Sequence, residues 1–167
     1  EKLGGKGTVA IIMGDLAQNA THDRTEGAKQ VLKEFPGMKV VEQQSAEWQR
    51  SKSMDLTSNW LLAGTQFDAI VANNDEMAIG AAMALQQSGK AKGEVAIVGI
   101  DGLPDGLAAV KRGMLAASVF QDPKAQASKA VESAIKMIKG EPIESEVWVP
   151  FELIKPEQVA VFEQRYK

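Results

Sequence analysis

Arg24, Trp48, Asn74, Asp101 and Gln121 are residues of the types that grip hydroxyl groups, and each lies in a polar stretch that follows a short apolar run. Arginine offers a rigid fork of donors, aspartate accepts two hydrogen bonds, and asparagine and glutamine do both at once. Together they match vicinal hydroxyls, which each donate and accept. A tryptophan face adds a flat apolar platform on which a ring can lie. The set reads as a site for a neutral polyhydroxylated ring. Taken singly, each residue has a plainer reading: Asn74 or Asp75 as a helix cap, Asp101 before Gly102 as a turn residue, Gln121 before Asp122-Pro123 as loop, Arg24 as a solvated charge, Trp48 as half-buried packing. Capping alone does not require Arg, Trp and Gln on one rim, so their coincidence carries the reading.

Other chemistries have less behind them. A glycosidase needs two carboxylates flanking the bond, one with a raised pKa, and the pattern places only Asp101. Gly4-Gly5-Lys6-Gly7 precedes the first apolar run and lacks the GxxxxGK[ST] spacing, so it reads as a turn. No GxGxxG follows any apolar run, which disfavours a dinucleotide. The single histidine, His22, leaves few partners for a metal site, and the absence of cysteine removes disulfides, thiolate zinc sites and cysteine nucleophiles. No catalytic residue, metal or cofactor is expected. A net charge of −3 and a pI near 5.3 supply no basic field, so nucleic acid is not an expected partner. No run approaches the roughly 20 apolar residues of a membrane-spanning helix. Glu1 is not a start residue, so a segment upstream is expected to have been removed.

These residues need a scaffold that brings them to one rim. At 167 residues, 44% apolar and 25% charged, the chain suits one ordinary domain. Strands are expected at residues 8–13, 38–43, 67–72, 95–100, 115–120 and 147–151, the last ending at or near Pro150. Helices are expected between them. The first is capped by Thr21 and carries the stripe Ala28, Val31, Leu32, Phe35; the second runs from about Gln49 to Ala63; the third carries Ala78, Ala81, Ala82 and Leu85. A short one spans 105–112, and the last aligns Ala127, Ala130, Val131, Ala134 and Ile138. Trp60 and Trp148 read as core or edge packing. Strand and helix alternate throughout, which predicts an α/β fold: an open, mostly parallel, doubly wound sheet with helices on both faces. In such sheets ligands bind beyond the carboxyl ends of the strands, where the candidate residues fall.

"VANNDEMAIGAAMAL", "VAIVGIDGLPDG" and "GMLAASVFQDP", in that order, resemble the carboxy-terminal lobe of periplasmic sugar-binding proteins of the ribose-binding type. "GDLAQNATHDRTEGAKQVL", "VVEQQSAEWQRSKSMDLTSNWLLAG" and "VWVPFELIKPEQV" look closest to the inositol- and rhizopine-binding branch. The resemblance implies two α/β lobes closing on a sugar or cyclic polyol that is delivered to an ABC permease, in an exported, periplasmic, non-enzymatic protein. It implies ligand contacts at Arg24, Trp48, Asn74, Asp101 and Gln121, with His22 a further candidate, and it leaves Asp75 as the cap beside Asn74. It also implies that the amino-terminal lobe is missing. Residues 1–121 would form the carboxy-terminal lobe, 122–143 a crossing segment and helix that packs on the missing lobe, and 144–167 the returning final strand and tail. Helix 124–139 would then dock elsewhere or mediate self-association. LacI-type repressors share the fold and a similar "NDEMAIGA" segment, so the effector-binding core of a repressor is the rival expectation.

Overall fold

In the computed structural model, which describes residues 2–166, the first strand, β1 (Lys6–Met13), shows how one sheet builds two cores. Successive side chains of a strand point to opposite faces. Ala10 and Ile12 enter a large apolar cluster, while Val9, Ile11 and Met13 enter a smaller one on the other face. All five are buried, so a run that reads as continuously apolar is an alternating strand covered on both sides.

The chain continues as α1 (Asn19–Lys33), β2 (Gly37–Ser45), α2 (Arg50–Leu62), β3 (Ala69–Ala72), α3 (Asp75–Gln87), β4 (Ala96–Val98), α4 (Pro104–Lys111), β5 (Ser118–Phe120), α5 (Pro123–Ile138), β6 (Glu152–Ile154) and α6 (Val159–Gln164). Strands β2, β1, β3 and β4 pair in parallel in that spatial order. Strand β5 continues the sheet through parallel bridges from Val98 to Ala117 and from Asp101 to Phe120, and β6 closes it as an antiparallel edge on β5. This is the open, mostly parallel α/β sheet with helices on both faces that the alternation of elements predicts. On the other edge, β2 carries a bulge: Val9 faces Val40 and Ala10 faces Glu42, leaving Val41 as an extra residue.

The larger core lies under α2, α3, α4 and α6. Helix α3 is buried nearly all round, from Met77 through Leu85, because α2 covers the side turned away from the sheet. At their crossing a Cβ on Gly80 would lie 2.2 Å from the Arg50 carbonyl oxygen, so glycine is required there by proximity alone. Trp60 of α2 is buried and meets Phe67 edge-on at 6.2 Å.

Four expectations are corrected. The final strand is Glu152–Ile154, not 147–151, because Pro150 cannot donate to a ladder and pairing with β5 begins only after it. Trp148 belongs to no core and is 83% exposed. Helix α1 starts at Asn19, and Thr21 lies inside it, buried, with its hydroxyl donating to the Asp15 carbonyl at 2.6 Å instead of capping. The predicted stripe of the same helix is split: Leu32 packs on the smaller core beside buried Thr21 and Thr25, whereas Val31 is exposed and Phe35, also exposed, lies beyond the end of the helix. Helix α5 stands apart: it buries none of its residues, and Val131, Ile135, Met137 and Ile138 are all exposed.

Candidate functional site

The carboxyl ends of β1, β2, β3 and β4 converge on an open depression of about 260 Å3 lined by Gln18, Ala20, Arg24, Trp48, Asn74 and Asp101. Arg24 projects from α1, and three groups around its guanidinium fix it. Its Nη1 donates to the Asn73 carbonyl oxygen at 2.7 Å, its Nη2 donates to Gln121 Oε1 at 3.2 Å, and Asp101 Oδ1 lies 3.7 Å from Nη1. Gln121 closes the triangle by donating from Nε2 to Asp101 Oδ1 at 2.6 Å. The three side chains are thus oriented before any ligand arrives, which lowers the ordering cost of binding.

Asp101 owes its place to the junction of β4 with β5. Its backbone N–H donates to the Val119 carbonyl at 2.9 Å and its own carbonyl accepts from Gln121 N–H at 3.3 Å, with φ at 142°, a value that side-chain-bearing residues rarely adopt. Burial pushes its carboxyl up to about 6, helped by the neighbouring Asp75 charge and opposed by Arg24 and the Gln121 hydrogen bond. A hydroxyl donor from a ligand would stabilise the charged form further.

Beneath that loop lies Asp75. It is buried, and accepts from Ser118 Oγ at 2.6 Å and from the Gly102 N–H at 2.9 Å. Burial raises its pKa, and those two hydrogen bonds oppose the rise. A Cβ on Gly106 would come within 1.9 Å of this carboxylate and one on Gly99 within 2.3 Å, so bare backbone surrounds it. Asp75 is therefore a buried brace under Asp101 and Gly102, not the helix cap. The cap of α3 is Asn74, whose Oδ1 accepts from Met77 N–H at 2.9 Å. Its Nδ2 lies 3.4 Å from the Trp48 carbonyl and the residue lines the depression, so one side chain both ends a helix and faces the open space. The sequence presents two capping residue types side by side, and only the distant partners of Asp75 decide between them.

Trp48 reaches the depression from the β2–α2 loop. Glu47 and Trp48 have φ of 51° and 65°, and the Gln49 N–H donates to the Ala46 carbonyl at 2.9 Å. Two consecutive positive φ values spanned by such a bond make a type I′ turn, which ordinarily uses Asn-Gly. The Arg24 guanidinium carbon sits 5.5 Å from the Trp48 ring centroid, within cation–π range.

The candidate residues are thus brought together with one exception. His22 is exposed, and its Nε2 sits 2.8 Å from the Leu16 carbonyl, outside the lining of the depression. Gln121 touches the site through Arg24 and Asp101 instead of lining it. Gln18 and Ala20 line the depression without a mark in the sequence, and Asn73 and Gly14, the residues at the ends of β3 and β1, take part as well. Asn73 is the hub among them: its carbonyl holds Arg24, and its buried Oδ1 accepts from Gly14 N–H at 3.1 Å and Thr25 Oγ1 at 3.2 Å. A polar residue directly at the end of a buried strand is the one local signal that marks it.

Comparison with known proteins gives a consistent result. Residues 1–142 match the family described as periplasmic binding protein domain. The chain is 44% identical over 163 residues to a Rhizobium meliloti protein named "Putative rhizopine-binding protein", covering 96% of this chain and 53% of that one. It is 39% identical over 154 residues to the ribose import binding protein of Salmonella typhimurium, covering 92% of this chain and 51% of that one. A solved ABC transporter solute binding protein from Bacillus halodurans with bound myo-inositol superposes with a TM-score of 0.94 at 44% identity, over 98% of this chain and 56% of that one. The chain spans about half the length of the relatives it matches.

Proposed function

The chain belongs to the periplasmic binding protein family, and on that premise we propose that it is the carboxy-terminal lobe of an exported solute-binding protein that captures an inositol-like cyclic polyol or a sugar for an ABC importer. The observation that carries this reading is the preset Arg24–Asp101–Gln121 triangle, of which Arg24 and Asp101 line the same depression as Asn74 and Trp48. The triangle offers charged donors and acceptors at fixed angles, and the indole offers a face for a ring. Arg24, Trp48, Asn74, Asp101 and Gln121 are the proposed ligand contacts. His22 would join them only if its ring left the Leu16 carbonyl.

The depression is open, so one lobe supplies one wall. In the proposed whole protein a second, amino-terminal lobe supplies the other, and ligand contacts from both sides stabilise the closed state. Residues 1–121 would be the lobe proper, 122–143 the crossing segment with its helix, and 144–167 the return. The exposed apolar residues of α5 support that division, since among the described residues nothing buries them. The role is binding, not turnover, in keeping with relatives that are transport proteins. Those relatives also favour transport over the repressor reading.

Calorimetric titration of the full-length protein carrying this chain, against myo-inositol, ribose, glucose and galactose, tests the proposal. Tight binding of one of them, lost in Asn74→Ala and in Asp101→Ala, is the expected result. The 167-residue chain alone should bind that ligand at least about 100-fold more weakly, because half the contacts and the exclusion of water are gone. Binding of none of the four would overturn the ligand class.

A further inference from the structure

Gly14, the residue directly after β1, lies behind the Trp48 ring. A Cβ built on it would sit 2.1 Å from Cζ2, 2.3 Å from Cε2 and 2.3 Å from Cη2 of the indole. Carbon atoms not bonded to one another do not approach that closely, so the indole occupies the space that any other residue's side chain would take. Trp48 lines the depression and Gly14 does not. The ring therefore stands between the glycine and the open space, and movement away from position 14 is movement into the depression.

Neither backbone can absorb a side chain at position 14. The Gly14 N–H donates to Asn73 Oδ1 at 3.1 Å, and its carbonyl accepts from Ser45 Oγ at 2.5 Å, so its peptide is tied on both sides. The turn carrying Trp48 is pinned by Gln49 N–H to the Ala46 carbonyl and by Ala46 N–H to the Met13 carbonyl, both 2.9 Å. Two positive-φ residues in that turn are held against their intrinsic preference. What remains free to move is the indole. To reach ordinary contact it would have to retreat by about 1.3 Å, from 2.1 Å to at least 3.4 Å.

We propose that Gly14 is a specificity-determining position: its bare backbone seats the indole at the rear of the depression and so reserves the width that a six-membered polyol ring needs. This rests on the polyol reading above and adds a residue that touches no ligand. A side chain at position 14 narrows the site from behind, penalising a six-membered ring more than a five-membered one.

The test uses the full-length protein carrying this chain and four forms: wild type, Gly14→Ala, Trp48→Phe, and the double variant. Each is titrated with myo-inositol and with D-ribose, and the indole N–H resonances of the three tryptophans are recorded by 15N NMR, with Trp48 assigned by its loss in Trp48→Phe. Gly14→Ala should shift the Trp48 signal and leave Trp60 and Trp148 in place. Affinity for myo-inositol should fall at least about 30-fold while affinity for ribose changes less than about 3-fold, and in a Trp48→Phe background the same Gly14→Ala change should cost myo-inositol less than about 3-fold. An unmoved indole signal, or equal effects on both ligands, would overturn the proposal. Should Gly14→Ala fail to fold, the double variant decides: restored folding supports the clash with the indole, and failure of both refutes it. Wild-type protein that binds neither ligand would instead refute the polyol reading and take this inference down with it, an outcome distinct from intact binding that is indifferent to position 14.

Discussion

Asp101→Asn should make the protein more stable near neutral pH while removing its affinity for ligand. Burial and the Asp75 charge move the Asp101 carboxyl from 3.8 to about 6 in the folded chain, against the pull of Arg24 and Gln121. Holding the charged form there costs the fold about 3 kcal/mol at 1.36 kcal/mol per tenfold. The side chain keeps 20% of its surface in water, so we take about half of that, ~1.5 kcal/mol, as the expected effect. The folded carboxyl binds its proton more tightly than the unfolded one. Its contribution to stability is therefore complete below pH 3.8 and is lost as pH rises through about 6. Asparagine cannot ionise, yet its Oδ1 can still accept from Gln121. Urea denaturation of both proteins at pH values from about 4 to 8 should show nearly equal stabilities at the acid end and a gap favouring the variant that opens toward neutrality. Asp75 is present in both, so the difference reports Asp101 together with its repulsion of Asp75. A variant less stable than wild type above neutral pH, by an amount independent of pH, would refute the reasoning: the Arg24 contact would then outweigh desolvation.

Ser118→Ala removes the 2.6 Å donor from buried Asp75 and should cost about 1–3 kcal/mol in thermal or urea unfolding; a change of a few tenths would mean that water replaces the hydroxyl. Gly80→Ala places a methyl 2.2 Å from the Arg50 carbonyl and should cost about 1–3 kcal/mol by forcing α2 and α3 apart, and an unchanged melting temperature would show that the two helices can separate freely. The paired change Val131→Glu and Ile135→Lys acts on the exposed face of α5. Sedimentation of the 167-residue chain should reveal self-association that this variant abolishes, whereas a monomeric wild type would show that the helix does not bind itself.

The fold is legible where local pattern and tertiary need agree. Continuous apolar runs mark β1, β3 and β4, and α2 and α3 are followed by Gly64 and Gly89 at φ 81° and 86°, which glycine alone adopts without penalty. The pattern locates helix α1 and puts Leu32 on its packed face but draws that face too wide, because Val31 and Phe35 look like core until the buried Thr21 and Thr25 are known. It puts the returning strand too early, since Val147, Val149 and Phe151 exceed Glu152–Ile154 in apolar content, while pairing with β5 is set by the antiparallel register. The short helix α6, which buries Val159 and Phe162, escapes it altogether. At the site, strand ends identify the residue types and the rim. The brace beneath it is not legible, because Asp75 meets Ser118 across 43 residues of chain and its surroundings are glycines defined by what they leave room for.

The extra residue at Val41 bears on how molecules of this protein meet one another. Among the described residues strand β2 is a border of the sheet, with one edge that pairs with no other strand. Side chains alternate with a period of two, so one inserted residue reverses which face each side chain takes from that point onward. A straight visitor could match Gly37–Val40 or Glu42–Ser45, but not both. Four residues of pairing span only about 13 Å at roughly 3.3 Å each. Each straight stretch of the border is thus shorter than the roughly six or seven residues over which stacked strands build a steric zipper.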